Sequence, residues 1–377
     1  MSKKLFTILA VLLVATLALS ACAKATEAPV ATDAPVAPVA TEAPKFLVCE
    51  VTDTGGIDDK SFNATAWKGA TDAVEQLGIE AKYLESKEMA DFETNINAFI
   101  EEGCDLIITV GFLLGDATKA AAEANPELKF SIVDNGYSPE IPNVASQAFQ
   151  TDEASFMAGY LAAGVSKTGK VGTFGGMNIP TVSIFMDGFA RGVAYYNEVH
   201  GTAVEVLGWD TEAATGSFTD DFSDQQKGNQ MAVSLMDEGA DVIMPVAGPV
   251  GLGAAAAILE RTTAEAPIYI IGVDSDWYLT APDYASIELT SVLKNMDVTT
   301  FNVIQSAMDG TFAGGNTVGN LANGGVGLAP FHDLDGVVSA ELKAELETVK
   351  ADLLSGTITL NPRSEEHTSE LQSRITI

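Results

Sequence analysis

The chain has 377 residues, with 20 Lys and Arg against 52 Asp and Glu, a formal net charge of -32. Such acidity argues against a nucleic-acid partner, which needs basic patches, and disfavours anionic ligands. Hydrophobic residues make up 47% of the chain, enough for a sizeable core divided between two lobes of ordinary size.

The first residues read as a targeting segment. Lys3 and Lys4 precede an apolar run over 5–19, closed by Leu19-Ser-Ala-Cys22. The run is too short for a comfortable membrane span. A Cys after Leu-Ser-Ala resembles the bacterial lipobox, which predicts a signal over 1–21 and a lipid on Cys22. The alternative is an ordinary signal peptide with an incidental Cys. Residues 22–44 include three near-copies of Thr-Glu/Asp-Ala-Pro. Recurring Pro without large aromatics cannot build a core, so this stretch is expected to be an extended tether. At the other end, residues 363–377 lack apolar periodicity and resemble the translation of a sequencing adapter; the alternative is a genuine polar tail.

Between 45 and 362, strand and helix patterns alternate. Strands are predicted over 46–52, 80–84, 106–110 and 129–133, followed by a short crossing segment over 144–148. A second set falls at 170–174, 203–207, 242–245 and 268–273, and a late strand at 287–293 must return to one of the two lobes. Helices fit between them at 64–77, 92–102, 118–125, 155–165, 182–198, 225–238, 253–261 and 298–308. The expected class is α/β, with two Rossmann-like lobes of parallel sheet joined by a hinge, as in type I periplasmic-binding-protein folds. The expected first lobe takes 45–150 plus about 276–312, and the second 151–275 plus about 313–362. Cys49 falls mid-strand and Cys104 at a strand start, a stagger that predicts two buried free thiols rather than a bridge.

The segment Asp53-Thr-Gly-Gly-Ile-Asp-Asp-Lys-Ser-Phe-Asn63 joins the first strand to the first helix. It therefore lies at the carboxyl edge of a parallel sheet, where open α/β sheets hold ligands. Its acceptors (Asp53, Asp58, Asp59), hydroxyl (Ser61), ring (Phe62) and amide (Asn63) suit a polar, flat, uncharged molecule. The same residues also suit a helix cap, with Ser61 at the N-cap and acids at the positive end. Further strand ends converge on the same cleft: Gly111 and Phe112, Asp134, Gly248, and Asp274. Gly216-Ser-Phe218 lies in a nearby loop.

Enzyme signals are thin. Gly248-x-x-Gly-x-Gly253 misses both the dinucleotide and the Walker spacing, and no nucleophile elbow, zinc motif or C-x-x-C occurs. No cofactor or metal is expected.

Val51-Thr-Asp-Thr-Gly-Gly-Ile-Asp-Asp-Lys-Ser-Phe-Asn63, together with Val110-Gly-Phe112, Gly272-Val-Asp-Ser-Asp276 and Ser291-Val-Leu-Lys294, resembles the basic membrane protein family of nucleoside-binding lipoproteins. The resemblance spans 45 to about 362. It implies a purine stacked between Phe62 and a second ring, for which Phe218 is the candidate. It implies that Asn63 and Asp134 read the base, Asp274 and Lys294 hold the ribose hydroxyls, and Asp53 and Ser61 complete the floor. It also implies a single-copy receptor, lipid-anchored outside the cytoplasm, that hands its ligand to the permease subunits of an ABC importer. Alternatives are a sugar receptor on the same fold, a nucleoside-processing enzyme, or an adhesin.

Overall fold

The computed structural model describes residues 45–360. The signal over 1–21, Cys22, the tether over 22–44 and the tail over 363–377 lie outside the described residues.

In chain order the strands are β1 (Leu47–Val51), β2 (Glu80–Leu84), β3 (Leu106–Val110), β4 (Lys129–Val133), β5 (Val144–Phe149), β6 (Lys170–Gly175), β7 (Glu205–Leu207), β8 (Trp209–Asp210), β9 (Thr215–Gly216), β10 (Val242–Val246), β11 (Tyr269–Asp274), β12 (Glu288–Lys294), β13 (Gly315–Gly319) and β14 (Val326–Leu328). Apolar runs such as Leu-Ile-Ile-Thr-Val in β3 are buried throughout, as strands covered on both faces require. They form two six-stranded sheets, β13-β5-β4-β3-β1-β2 and β14-β12-β11-β10-β6-β7. Every pairing in the first sheet is parallel, and only β14 runs antiparallel in the second. Each sheet reverses its winding direction once, between β1 and β3 and between β6 and β10. Those reversals open the crevices in which such sheets bind ligands.

The α/β two-lobe plan is as expected, but three details differ. Residues 144–148 belong to β5, a full strand between β4 and β13, rather than to a crossing segment. β12 pairs with β11 and so completes the second sheet, whereas the helix after it, Met296–Met308, packs on the first lobe. A Cβ on Gly69 of the Phe62–Leu77 helix would fall 2.5 Å from the Asp297 carbonyl oxygen, so these two helices touch backbone to backbone. β13 then pairs with β5 in the first sheet, and β14 returns to the second. The physical reason is composition. Glu-Leu-Thr-Ser-Val-Leu-Lys in β12 is almost wholly buried, as an inner strand demands, while Gly-Asn-Thr-Val-Gly in β13 is an exposed polar edge.

The third difference is covalent. Cys49 and Cys104 are joined by a disulfide, with Cα atoms 6.1 Å apart, and are not free thiols. Cys104 is not in strand register with β1. Gly103, with φ of 82°, ends the Asp91–Glu102 helix in the left-handed conformation and turns Cys104 into the same buried cluster as Cys49 and Phe99.

The second lobe is held by helix pairs in close contact. The Thr151–Val165 and Pro180–His200 helices meet where a Cβ on Gly159 would lie 1.9 Å from the Phe189 carbonyl oxygen. The Gln225–Asp237 and Val250–Arg261 helices meet likewise, a Cβ on Gly253 falling 1.8 Å from the Gln225 carbonyl oxygen. The glycine-rich run 248–253 is thus largely a packing feature.

Candidate functional site

The turn after β1 is organised by a carboxylate. Asp59 Oδ1 accepts from the backbone N–H of Ser61 (2.9 Å) and Ala64 (3.0 Å), and its Oδ2 accepts from the Asn63 N–H (2.8 Å) and Nδ2 (3.1 Å). Asp59 therefore satisfies the free donors at the start of the Phe62–Leu77 helix. Ser61 occupies the N-cap position but makes no capping bond through its side chain. Its hydroxyl instead crosses to the second lobe, 2.9 Å from the Val273 carbonyl oxygen and 3.0 Å from Asp274 Oδ2. Ser275 Oγ answers from the second lobe by donating to the Lys60 carbonyl at 2.8 Å. These bonds latch the lobes together over the cleft.

Asn63 is fully engaged within the turn. Its Nδ2 donates to Asp53 Oδ1 (2.7 Å) and Asp59, and its Oδ1 accepts from the Asp53 N–H (3.3 Å). Asp53 Oδ1 also accepts from the Gly55 N–H at 2.9 Å, which leaves Oδ2 as the Asp53 acceptor without a bond among the described residues. Asn63 thus shapes the acceptor rather than presenting free amide hydrogens.

Asp134 follows β4 and Asp274 ends β11, both in the left-handed region, with φ of 67° and 70°. Left-handed backbone is uncommon outside Gly, Asn, Asp and His, and at a strand end it re-aims the side chain that follows the strand. The buried Lys294, the last residue of β12, places Nζ 2.5 Å from Asp134 Oδ2. The same ammonium lies 4.9 Å from the Phe62 ring centre, 5.4 Å from Phe149 and 5.5 Å from Phe185, within cation–π range of all three.

These groups border an interlobe cavity of about 570 Å³, part of it open to solvent. Of the expected residues, Asp53, Asp59, Phe62, Asn63, Gly111, Phe112, Asp134, Gly248, Asp274 and Lys294 line it. Ser61 lies behind the wall, bonded to Asp274. Phe218 is not in the lining. It bridges to Gly175 and meets Trp209 edge-on at 6.1 Å, a packing role in the second lobe. Phe222, four residues on, and Phe185 supply the second lobe's rings instead. Phe222 is a second Phe in the same Asp-rich loop, and the choice between the two depends on the bridge to Gly175, which local pattern does not reveal. Phe185 sits on a helix face that reads as ordinary core.

Four carboxyl groups and one ammonium line the cavity. Burial raises Asp53 above the usual carboxylate range, against the hydrogen bonds from Asn63 and Gly55. Burial likewise raises Asp134, opposed by Lys294. Asp274 is pushed up to about 6, mainly by burial, with Lys294 opposing and Asp134 adding to the rise. Asp59 is pushed up to about 7 by burial despite its backbone donors. Four carboxyl groups around one ammonium suit a neutral ligand rich in donors, with flat apolar faces for the rings. Among the described residues, no group of three or more His, Cys, Asp and Glu is placed to hold a metal.

Residues 46–363 match the family model described as ABC transporter substrate-binding protein, PnrA-like (Bmp). The chain belongs to this family. It is 33% identical to the ABC transporter nucleoside-binding protein BmpA of Lactococcus lactis, over 82% of this chain and 87% of that protein. It is 30% identical to basic membrane protein A of Borreliella burgdorferi, over 85% and 89%. Among solved structures it is similar to an ABC transporter solute-binding protein from Aeropyrum pernix, with a TM-score of 0.77 and 27% identity, covering 87% of this chain and 96% of that one. The protein is accordingly a solute-binding Bmp protein of the ABC transport class and not an enzyme. No helix among the described residues is long and apolar enough to cross a membrane.

Proposed function

We propose that this Bmp protein captures a purine nucleoside in the interlobe cavity and delivers it to the permease subunits of an ABC importer. The observation that carries the reading is the combination, in one cavity, of aromatic walls from both lobes with Asp53, Asp134, Asp274 and Lys294. The base stacks between Phe62 and Phe222, each such contact contributing about 1–3 kcal/mol. Asp53 Oδ2 accepts from donors on the base, and Asp274 with Lys294 takes the ribose hydroxyls. That the Lactococcus lactis relative is a nucleoside-binding protein supports this choice of ligand. A single copy suffices, since both walls come from one chain. Cys22 carries the lipid that holds the protein outside the cytoplasm, with residues 23–44 as spacer.

Closure on the ligand stabilises the folded state in proportion to ligand concentration over Kd. Inosine, guanosine or adenosine should therefore raise the melting temperature of the purified protein, whereas the monophosphates, repelled by the carboxylates, should not. A flat response to all three nucleosides at millimolar concentration would remove the reading.

A further inference from the structure

Beside the proposed nucleoside site lies a second and larger interlobe chamber, with about 1,660 Å³ of empty space including its open mouth. The two share Phe112, Asp134, Thr181 and Lys294, so the Asp134–Lys294 ion pair forms part of the wall between them. On the far side stand Asp152, at the start of the Thr151–Val165 helix, and Asp187 and Arg191 of the Pro180–His200 helix. Asp187 is already engaged, accepting from Trp209 Nε1 at 2.8 Å. The other two are not equally satisfied. Asp152 Oδ1 is buried without a hydrogen-bond partner, and the half-buried Arg191 makes no ion pair or hydrogen bond among the described residues. Both stand near the contact between these two helices. A Cβ on Gly188 would lie 2.4 Å from the Asp152 carbonyl oxygen, and Arg191 stands three residues after Gly188, on the same helix face.

A partner-free guanidinium and a carboxylate with an orphaned oxygen, both lining one chamber and not paired with each other, form a receptor for a zwitterion. We propose that this chamber takes the amino-acid tail of a nucleoside whose sugar carries an α-amino-acid substituent, Asp152 receiving the ammonium and Arg191 the carboxylate. The proposal rests on the nucleoside reading, which places the ribose against the Asp134–Lys294 wall. A phosphate would satisfy Arg191 alone while facing Asp152, Asp187 and Asp134, so a dianionic tail is disfavoured. An unmodified nucleoside leaves the chamber unfilled.

The test uses titration calorimetry on the purified protein with four probes: adenosine, methylthioadenosine, S-adenosyl-L-homocysteine and adenosine monophosphate. Methylthioadenosine has the thioether without the amino-acid group, so it isolates the tail. The expected result is that S-adenosyl-L-homocysteine binds at least about tenfold tighter than methylthioadenosine, an advantage lost in both Arg191→Met and Asp152→Asn. Adenosine should bind both variants as it binds the parent, which also reports that they fold. Equal or weaker binding of S-adenosyl-L-homocysteine, or an advantage untouched by either variant, would overturn the chamber assignment while leaving the nucleoside site standing. A comparable gain for the monophosphate would replace the zwitterion with a phosphate. Failure of all four adenosine compounds, and of inosine and guanosine, would overturn both readings.

Discussion

At the scale of single residues, the cleft shows how one side chain can serve fold and site together. Asp59 accepts three backbone N–H bonds at a helix start and a fourth from the Asn63 amide, and Asn63 so fixed leaves the second oxygen of Asp53 without a bond among the described residues. Ser61, which has the residue type of a cap, spends its hydroxyl on the other lobe. The segment 53–63 was legible because strand, turn and helix signals are local and adjacent. The choice of Phe222 over Phe218 was not, because it turns on a bridge between Ser217–Thr219 and Gly175 that no local pattern records. Phe62 is the residue on which the stacking account depends most. Phe62→Ala should weaken nucleoside binding by about five- to 150-fold, from the loss of about 1–3 kcal/mol of stacking, while a cooperative melting transition persists. Equal affinity of variant and parent in a direct binding assay would set the stacking account aside.

At the scale of elements, βα alternation made the strands visible, and burial explains which were misplaced. β12 is an inner strand and β13 an exposed polar edge, so the periodicity of neither reports which sheet it joins. Strand pairing across 170 residues, as between Asn316 and Ser146, is information that a local window lacks. The disulfide was missed for a related reason: a left-handed glycine takes Cys104 out of strand register, so extrapolating the strand overestimates the gap. The bridge closes a loop with a sequence separation of 55 residues and ties β1, which leads into the site, to the turn before β3. Removing it with Cys104→Ser should cost about 2–4 kcal/mol in denaturant unfolding, chiefly by freeing the unfolded chain, with nucleoside affinity retained. An unchanged unfolding midpoint would show that the bridge contributes nothing to stability.

At the scale of the molecule, the two lobes bury several carboxyl groups in a chain whose formal charge is -32. Burial pushes Asp59 and Glu288 up to about 7, and Asp152 and Asp274 up to about 6. In the unfolded chain such groups titrate near about 4, so the folded state binds protons more tightly. Their contribution is complete below about pH 4 and is lost as pH rises through 6 to 7. Acidification also relieves self-repulsion in so negative a chain. The ligand-free protein should therefore melt higher at about pH 5 than at about pH 7.5, and an equal or lower melting temperature at about pH 5 would contradict this view of the buried carboxyl groups.

The central claim, that the cleft holds a nucleoside, is tested most directly by equilibrium dialysis of the purified protein against labelled inosine, with unlabelled inosine or ribose in excess. The account predicts saturable binding, with about one inosine per chain, displaced by inosine and not by ribose. Absence of saturable binding, or equal displacement by ribose, would contradict it.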